Sequence, residues 1–238
     1  MAIILASRLK LIPQDDINKI LSNIKKYTPK YESIVFVANN PDDERENNDF
    51  SKMFFESFEA AGLMFKNKTI LDNKNKEQAS ALIENADLII LCGGNVPKQN
   101  EFFWQTGIKK SLASTKALII GISAGAMNLC EKAFCLPESR AELSEHRWFD
   151  GLGFFSKVLV PHFNGVTTRP YNGINIDEYT FQKSYEYELL GFPNDSYILL
   201  DKEGTHYFGD FYAIKDGKIT IFTPIHNFNK GTHLCIQS

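Results

Sequence analysis

The residue whose surroundings point most directly to chemistry is Ser123, in the stretch Ile119-Ile120-Gly121-Ile122-Ser123-Ala124-Gly125-Ala126-Met127-Asn128. An apolar run ends there in Gly-x-Ser-x-Gly, and at a strand-to-helix junction that pattern makes a tight turn from which the hydroxyl projects. The following helix offers unpaired N–H groups and a positive dipole end, both suited to holding an oxyanion. Ser123 is therefore a candidate nucleophile and the Ala124 N–H a candidate oxyanion donor. The pentapeptide alone is equally compatible with a close-packed turn that does no chemistry.

A serine hydroxyl needs a base to remove its proton. The chain has five histidines: His146, His162, His206, His226 and His233. His162 directly follows the apolar run Lys157–Pro161, and in open α/β sheets functional groups gather beyond the carboxyl ends of the strands. If that strand runs parallel, His162 emerges on the same sheet edge as Ser123. His206 lies inside an alternating, strand-like segment, His146 in an irregular stretch, and His226 and His233 in the tail. A second oxyanion donor would come from a neighbouring strand exit. Cys92-Gly93-Gly94-Asn95 ends the run Asp87–Cys92, and paired glycines let backbone N–H groups face a carbonyl oxygen, although an ordinary βα turn also has this composition.

The elements that must position these groups alternate in type. Ala2–Leu5, Ser33–Ala38, Phe65–Leu71, Asp87–Cys92, Ala117–Gly121 and Lys157–Pro161 read as strands. Between them, Pro13 opens a helix whose Ile17, Ile20, Leu21 and Ile24 share one face, and Phe54, Phe58 and Ala61 mark a second that Gly62 ends. Lys76–Asn85 and Pro97–Leu112 read as further helices. This βα alternation implies an α/β fold: a mostly parallel sheet with helices on both faces. Glu131–Gly153 reads as a loop-rich excursion and Glu178–Leu189 as a helix. Tyr197–Phe222 reads as short strands turning at Lys202-Glu203-Gly204 and Lys215-Asp216-Gly217. The acidic loop Asp42–Asp49 lacks the spacing and glycine of a calcium loop and reads as a solvated face with a helix cap.

At 238 residues the chain suits one α/β domain spanning 1–238. A net charge of −3 offers no general attraction to nucleic acid or anionic membranes. The N-terminal apolar run is too short for a secretory h-region, and no run approaches a membrane span. Four cysteines, Cys92, Cys130, Cys135 and Cys235, show no CxxC spacing, which favours reduced thiols and a cytoplasmic setting.

Three stretches in one order, "LIILCGGN", "IIGISAGAMN" and "KVLVPHFNG", resemble the peptidase E (α-aspartyl dipeptidase) and cyanophycinase family of serine peptidases. Ser-Ala-Gly-Ala and Pro-His-Phe carry most of the resemblance, with Ser123 and His162 39 residues apart. It implies a fold like class I glutamine amidotransferases, with serine in place of their cysteine. By similarity Ser123 is the nucleophile and His162 the general base, with the Gly94 and Ala124 N–H groups as the oxyanion hole. It implies hydrolysis of short peptides through an acyl-enzyme without metal or organic cofactor, and family analogy extends to a homodimer. The family's supporting glutamate aligns with Asn194, which leaves Asn194, Asp195 and Glu138 as alternatives for the third member. Arg169 is the candidate for pairing with a substrate carboxylate, and Asn95 is a second substrate-binding candidate. Two rival readings remain open: an α/β-hydrolase-type esterase using His226 or His233, and a catalytically silent relative that binds a peptide or metabolite.

Overall fold

In a computed structural model, residues 1–11, 19–136, 147–164 and 176–222 are described. In chain order, β1 (Ala2–Ala6) leads to α1 (Ile20–Tyr27), β2 (Ser33–Val37), α2 (Glu44–Ala60), β3 (Asn67–Leu71) and α3 (Ala79–Glu84). Next come β4 (Leu88–Leu91), α4 (Val96–Thr106), α5 (Ile108–Ser114), β5 (Leu118–Ile122) and α6 (Ala124–Leu129). The remainder holds β6 (Lys132–Phe134), β7 (Trp148–Asp150), β8 (Val158–Pro161), α7 (Ile176–Lys183) and β9 (Leu189–Phe192). It closes with β10 (Tyr197–Asp201), β11 (Gly204–Phe208), β12 (Phe211–Lys215) and β13 (Lys218–Phe222).

The main sheet has seven strands in the order β11-β10-β1-β5-β4-β2-β3. Its five strands from β1 to β3 are parallel, and the β10–β11 hairpin is antiparallel to β1 and to itself. Parallel strands covered on both faces become continuously apolar, which is why Ala-Ile-Ile-Leu-Ala and Leu-Ile-Ile-Leu are buried along their whole length. The two-residue period sorts them. Ile3, Leu5, Ile89, Leu91 and Ile119 pack with α3, α4, α5 and α6, whereas Ile4, Ile90, Leu118 and Ile120 pack with α1 and α2. The helices therefore cover both faces as the alternation predicts.

A second sheet, in the order β13-β12-β9-β8, was not legible. It turns Leu159, Leu190, Phe192 and Phe211 into the main core and builds a smaller one around Val158, Val160, Phe163 and Ile214. Three element boundaries differ from expectation. Pro97–Leu112 is two helices rather than one, because Gly107 adopts φ +61 and ends α4 while starting α5. Glu178–Leu189 is not one helix: α7 stops at Lys183 and Leu189 begins β9, where it pairs with Val158. The excursion from Glu131 to Gly153 contains the antiparallel pair β6–β7. The acidic loop does cap a helix, with the Asp43 carboxylate accepting the Glu46 N–H at the start of α2.

Candidate active site

Ser123 sits between β5 and α6 with φ 50° and ψ −109°, outside the regions that L-residues ordinarily occupy. Such a backbone costs on the order of 1–3 kcal/mol and persists where surrounding contacts over-determine it. Here the Ser123 N–H donates to the Ala6 carbonyl at 2.9 Å, and its carbonyl accepts the Met127 N–H at 3.0 Å. The flanking glycines are required sterically. A Cβ at Gly121 would lie 2.9 Å from the Ala126 backbone, and one at Gly125 only 2.1 Å from the Leu91 carbonyl oxygen. Gly-x-Ser-x-Gly is thus the composition that lets α6 lie directly on the ends of β4 and β5.

His162 follows β8, which is parallel to β9 and belongs to the second sheet, not to the sheet that carries Ser123. The two residues nevertheless meet: His162 Nε2 lies 3.1 Å from Ser123 Oγ. On its other side, His162 Nδ1 lies 2.6 Å from Asn194 Oδ1, in the loop between β9 and β10. His162 also has positive φ, +60°, and its N–H donates to the Ser7 hydroxyl at 2.7 Å. Serine, imidazole and amide stand in one row, with Ser123 and Asn194 half-buried and the ring exposed.

The loop after β4 packs against the serine. A Cβ at Gly93 would come 3.2 Å from Ser123 Cβ, and Gly94 has φ +134° with Asn39 Nδ2 occupying the place of its absent Cβ. A buried amide network fixes this loop to α6. Gln99 Nε2 donates to the Cys92 carbonyl at 2.9 Å, and Gln99 Oε1 accepts from Asn128 Nδ2 at 3.2 Å. Asn128 Nδ2 also donates to the Val96 carbonyl, and its oxygen accepts from Asn100. Gly94 and Ala124, the two proposed oxyanion donors, therefore sit on elements tied together beneath the serine.

A cleft of about 310 Å³ opens onto Ser123 and His162, walled by Leu9, Leu11, Met53 and Phe54 and carrying Arg8 and Lys10. No acidic side chain lines it among the described residues. Among the sequence-derived candidates, Ser123, His162 and Asn194 come together. Asn95 is exposed and caps α4, accepting the Lys98 N–H at 2.9 Å. Asp195 is exposed beside Asn194. Glu138, Arg169, His146, His226 and His233 lie outside the described residues. His206 is held at 3.0 Å by Asp201 on the β10–β11 hairpin. Asp201, Glu203 and His206 have ligand atoms within 4.8 Å of one another. The Asp201 oxygens are already taken by the Tyr27 hydroxyl, the Glu203 N–H and His206, so this is a hydrogen-bonded turn.

Ser7, Asn39, Gln99 and Asn128 were missed. Ser7 carried the same signal as Ser123, a small polar residue at the end of an apolar run. Gln99, three residues after buried Val96 and fully buried itself, is a polar residue on the inward stripe of its helix.

A mostly parallel α/β fold with a serine on a strained strand-to-helix turn and an imidazole against its hydroxyl defines a hydrolase architecture of the serine-nucleophile class. Residues 3–207 match the model of peptidase family S51, the peptidase E family, and the chain belongs to that family of serine peptidases. The fold is similar to the crystal structure of a peptidase from an acI-B1 Actinobacterium, with a TM-score of 0.66 and 16% identity over 93% of each chain. It is also similar to that of a protein assigned to peptidase E from Listeria monocytogenes EGD-e, with a TM-score of 0.55 and 16% identity over 87% of this chain and 96% of that one. No curated protein matches the sequence significantly. Among the described residues, no helix is long and apolar enough to cross a membrane.

Proposed function

We propose that the protein hydrolyses short peptides through an acyl-enzyme on Ser123, with His162 as general base. The observation that carries this reading is the 3.1 Å approach of His162 Nε2 to Ser123 Oγ on the strained turn. In the first half-reaction, Nε2 takes the hydroxyl proton as Oγ attacks the scissile carbonyl carbon. The N–H groups of Gly94 and Ala124 receive the negative charge on the tetrahedral oxygen. Collapse breaks the C–N bond, and the proton on Nε2 passes to the leaving amine. Water then repeats the cycle on the ester, giving up its proton to His162, and Ser123 is released with the acid product. Asn194 accepts the Nδ1–H, which fixes the tautomer that leaves Nε2 free as a base. Being neutral, it orients the ring without balancing imidazolium charge.

The cleft supports a substrate of a few residues that carries a carboxylate, because Arg8 and Lys10 line it together with apolar side chains and no described acid lines it beside them. Unpaired, buried Cys92 and Cys130 favour a reducing compartment. The test is a panel of dipeptides and tripeptides assayed with the wild type and Ser123→Ala, alongside labelling by a fluorophosphonate. Hydrolysis and labelling that both vanish in Ser123→Ala support the reading; an unchanged rate rejects it.

A further inference from the structure

The Ser–His pair is assembled across two sheets, so its geometry depends on how the sheets are registered. Ser123 rides on β5 of the seven-stranded sheet, and His162 on β8 of the four-stranded one. Both contact the tip of β1. The Ala6 carbonyl accepts the Ser123 N–H at 2.9 Å, and the next residue, Ser7, accepts the His162 N–H on its side-chain oxygen at 2.7 Å. The first bond continues the parallel β1–β5 ladder, whose last pair is Ala6 with Ile122. The second belongs to no ladder and joins the main sheet to the residue after β8.

Ser7 is fully buried, and His162 holds φ +60° without being glycine. A non-glycine backbone in that region reverts to a relaxed conformation unless its neighbours hold it. The Ser7 hydroxyl is such a neighbour: it satisfies the N–H that the reversed backbone turns inward, at the residue whose ring must meet Ser123. We infer that Ser7 is a positioning residue for the hydrolytic reaction, a pin that sets the His162 imidazole against Ser123 by holding the His162 main chain. This rests on the peptidase reading above and adds a residue that touches neither the scissile bond nor the ring nitrogens.

The experiment compares wild type, Ser7→Ala and Ser7→Thr, with active-site titration by fluorophosphonate, steady-state peptide hydrolysis and thermal unfolding, all activity being read well below the melting transition. Ser7→Ala is expected to lower kcat and the labelling rate on the order of 10- to 100-fold, the scale set by a misplaced catalytic group, with KM unchanged within about twofold. Ser7→Thr, which keeps the hydroxyl, is expected to recover most of that loss. A Ser7→Ala enzyme that melts earlier yet keeps kcat and labelling within about twofold of wild type makes Ser7 merely structural and overturns the inference, leaving the peptidase reading intact. If Ser7→Ala does not fold, Ser7→Cys, which keeps the size but accepts weakly, takes its place beside Ser7→Thr. Loss in the thiol variant with retention in the threonine variant supports the pin, and equal activity in both removes it. Wild-type protein that neither cleaves peptides nor reacts with the probe overturns the peptidase reading itself, and this inference with it.

Discussion

His162 Nδ1 stands 2.6 Å from the side-chain oxygen of Asn194, an uncharged partner for an imidazole that must become positively charged during the proposed reaction. The contact supplies orientation and a dipole but no counter-charge. Replacement by Ala should release the ring and lower kcat on the order of 10- to 100-fold. Asn194→Asp keeps the length and adds the charge. A neighbouring carboxylate favours imidazolium, so the acid limb of the variant's kcat/KM profile should lie at higher pH than that of the wild type. Rate profiles between pH 5 and 9 check both variants.

Gly94 has φ +134°, and a Cβ there would lie 1.9 Å from Asn39 Nδ2. Gly94→Ala must therefore move the loop proposed to offer one oxyanion donor. We expect a fall in kcat on the order of 10²- to 10³-fold, the scale for losing one such donor, with KM nearly constant. A tetrahedral peptide boronate should lose affinity in parallel, whereas product affinity should hold.

Arg8 and Lys10 face the cleft without a described acidic lining residue. If they bind a carboxylate of the substrate, Arg8→Ala should raise KM roughly 10-fold, equivalent to one charge-assisted hydrogen bond. The penalty should disappear when that carboxylate is amidated. Testing peptides amidated at the C-terminus beside peptides with Asp replaced by Asn tells which carboxylate is read.

Cys92, next to the Gly93–Gly94 loop, is buried, and burial pushes its thiol up to about 12. At pH 8 the native thiol is protonated, so N-ethylmaleimide should label Cys92 only after denaturation and leave hydrolysis intact, as peptide mapping and a parallel assay would report. The linkage also has a sign. The unfolded thiol ionises near about 8.5, so the stability contributed by the protonated buried form is complete below that pH and declines as pH rises towards about 12. Cys92→Ala should flatten the alkaline side of a urea-denaturation series.

The Ser123 turn was legible because its constraints are local: a glycine on either side and a short apolar strand before it record the steric need of α6 to lie on β4 and β5. His162 was legible for a similar reason, as the first polar residue after a strand. Its sheet was not, since nothing within Lys157–Pro161 distinguishes a strand of the main sheet from one that pairs with β9. Ser7 and His162 are 155 residues apart, and neither local sequence encodes that contact. Gly107 shows the limit at the scale of one element. The helical pattern of Pro97–Leu112 runs through it without interruption, and only the left-handed backbone that glycine permits turns one helix into two. Glu178–Leu189 erred in the same direction, because Leu189 satisfies an inward helical stripe and a buried strand equally well.

The division of labour between the two sheets bears on how this molecule fails. β1, β2, β4 and β5 are buried along nearly their whole length, while the slab bearing the imidazole packs on that body through Leu159, Leu190, Phe192 and Phe211 and, among the described residues, exposes Ile221 on its edge strand β13. Gentle heating should let the smaller slab slide before the larger one melts, so hydrolytic competence would be extinguished while ellipticity still reports an ordered chain, and cooling from that interval would restore it.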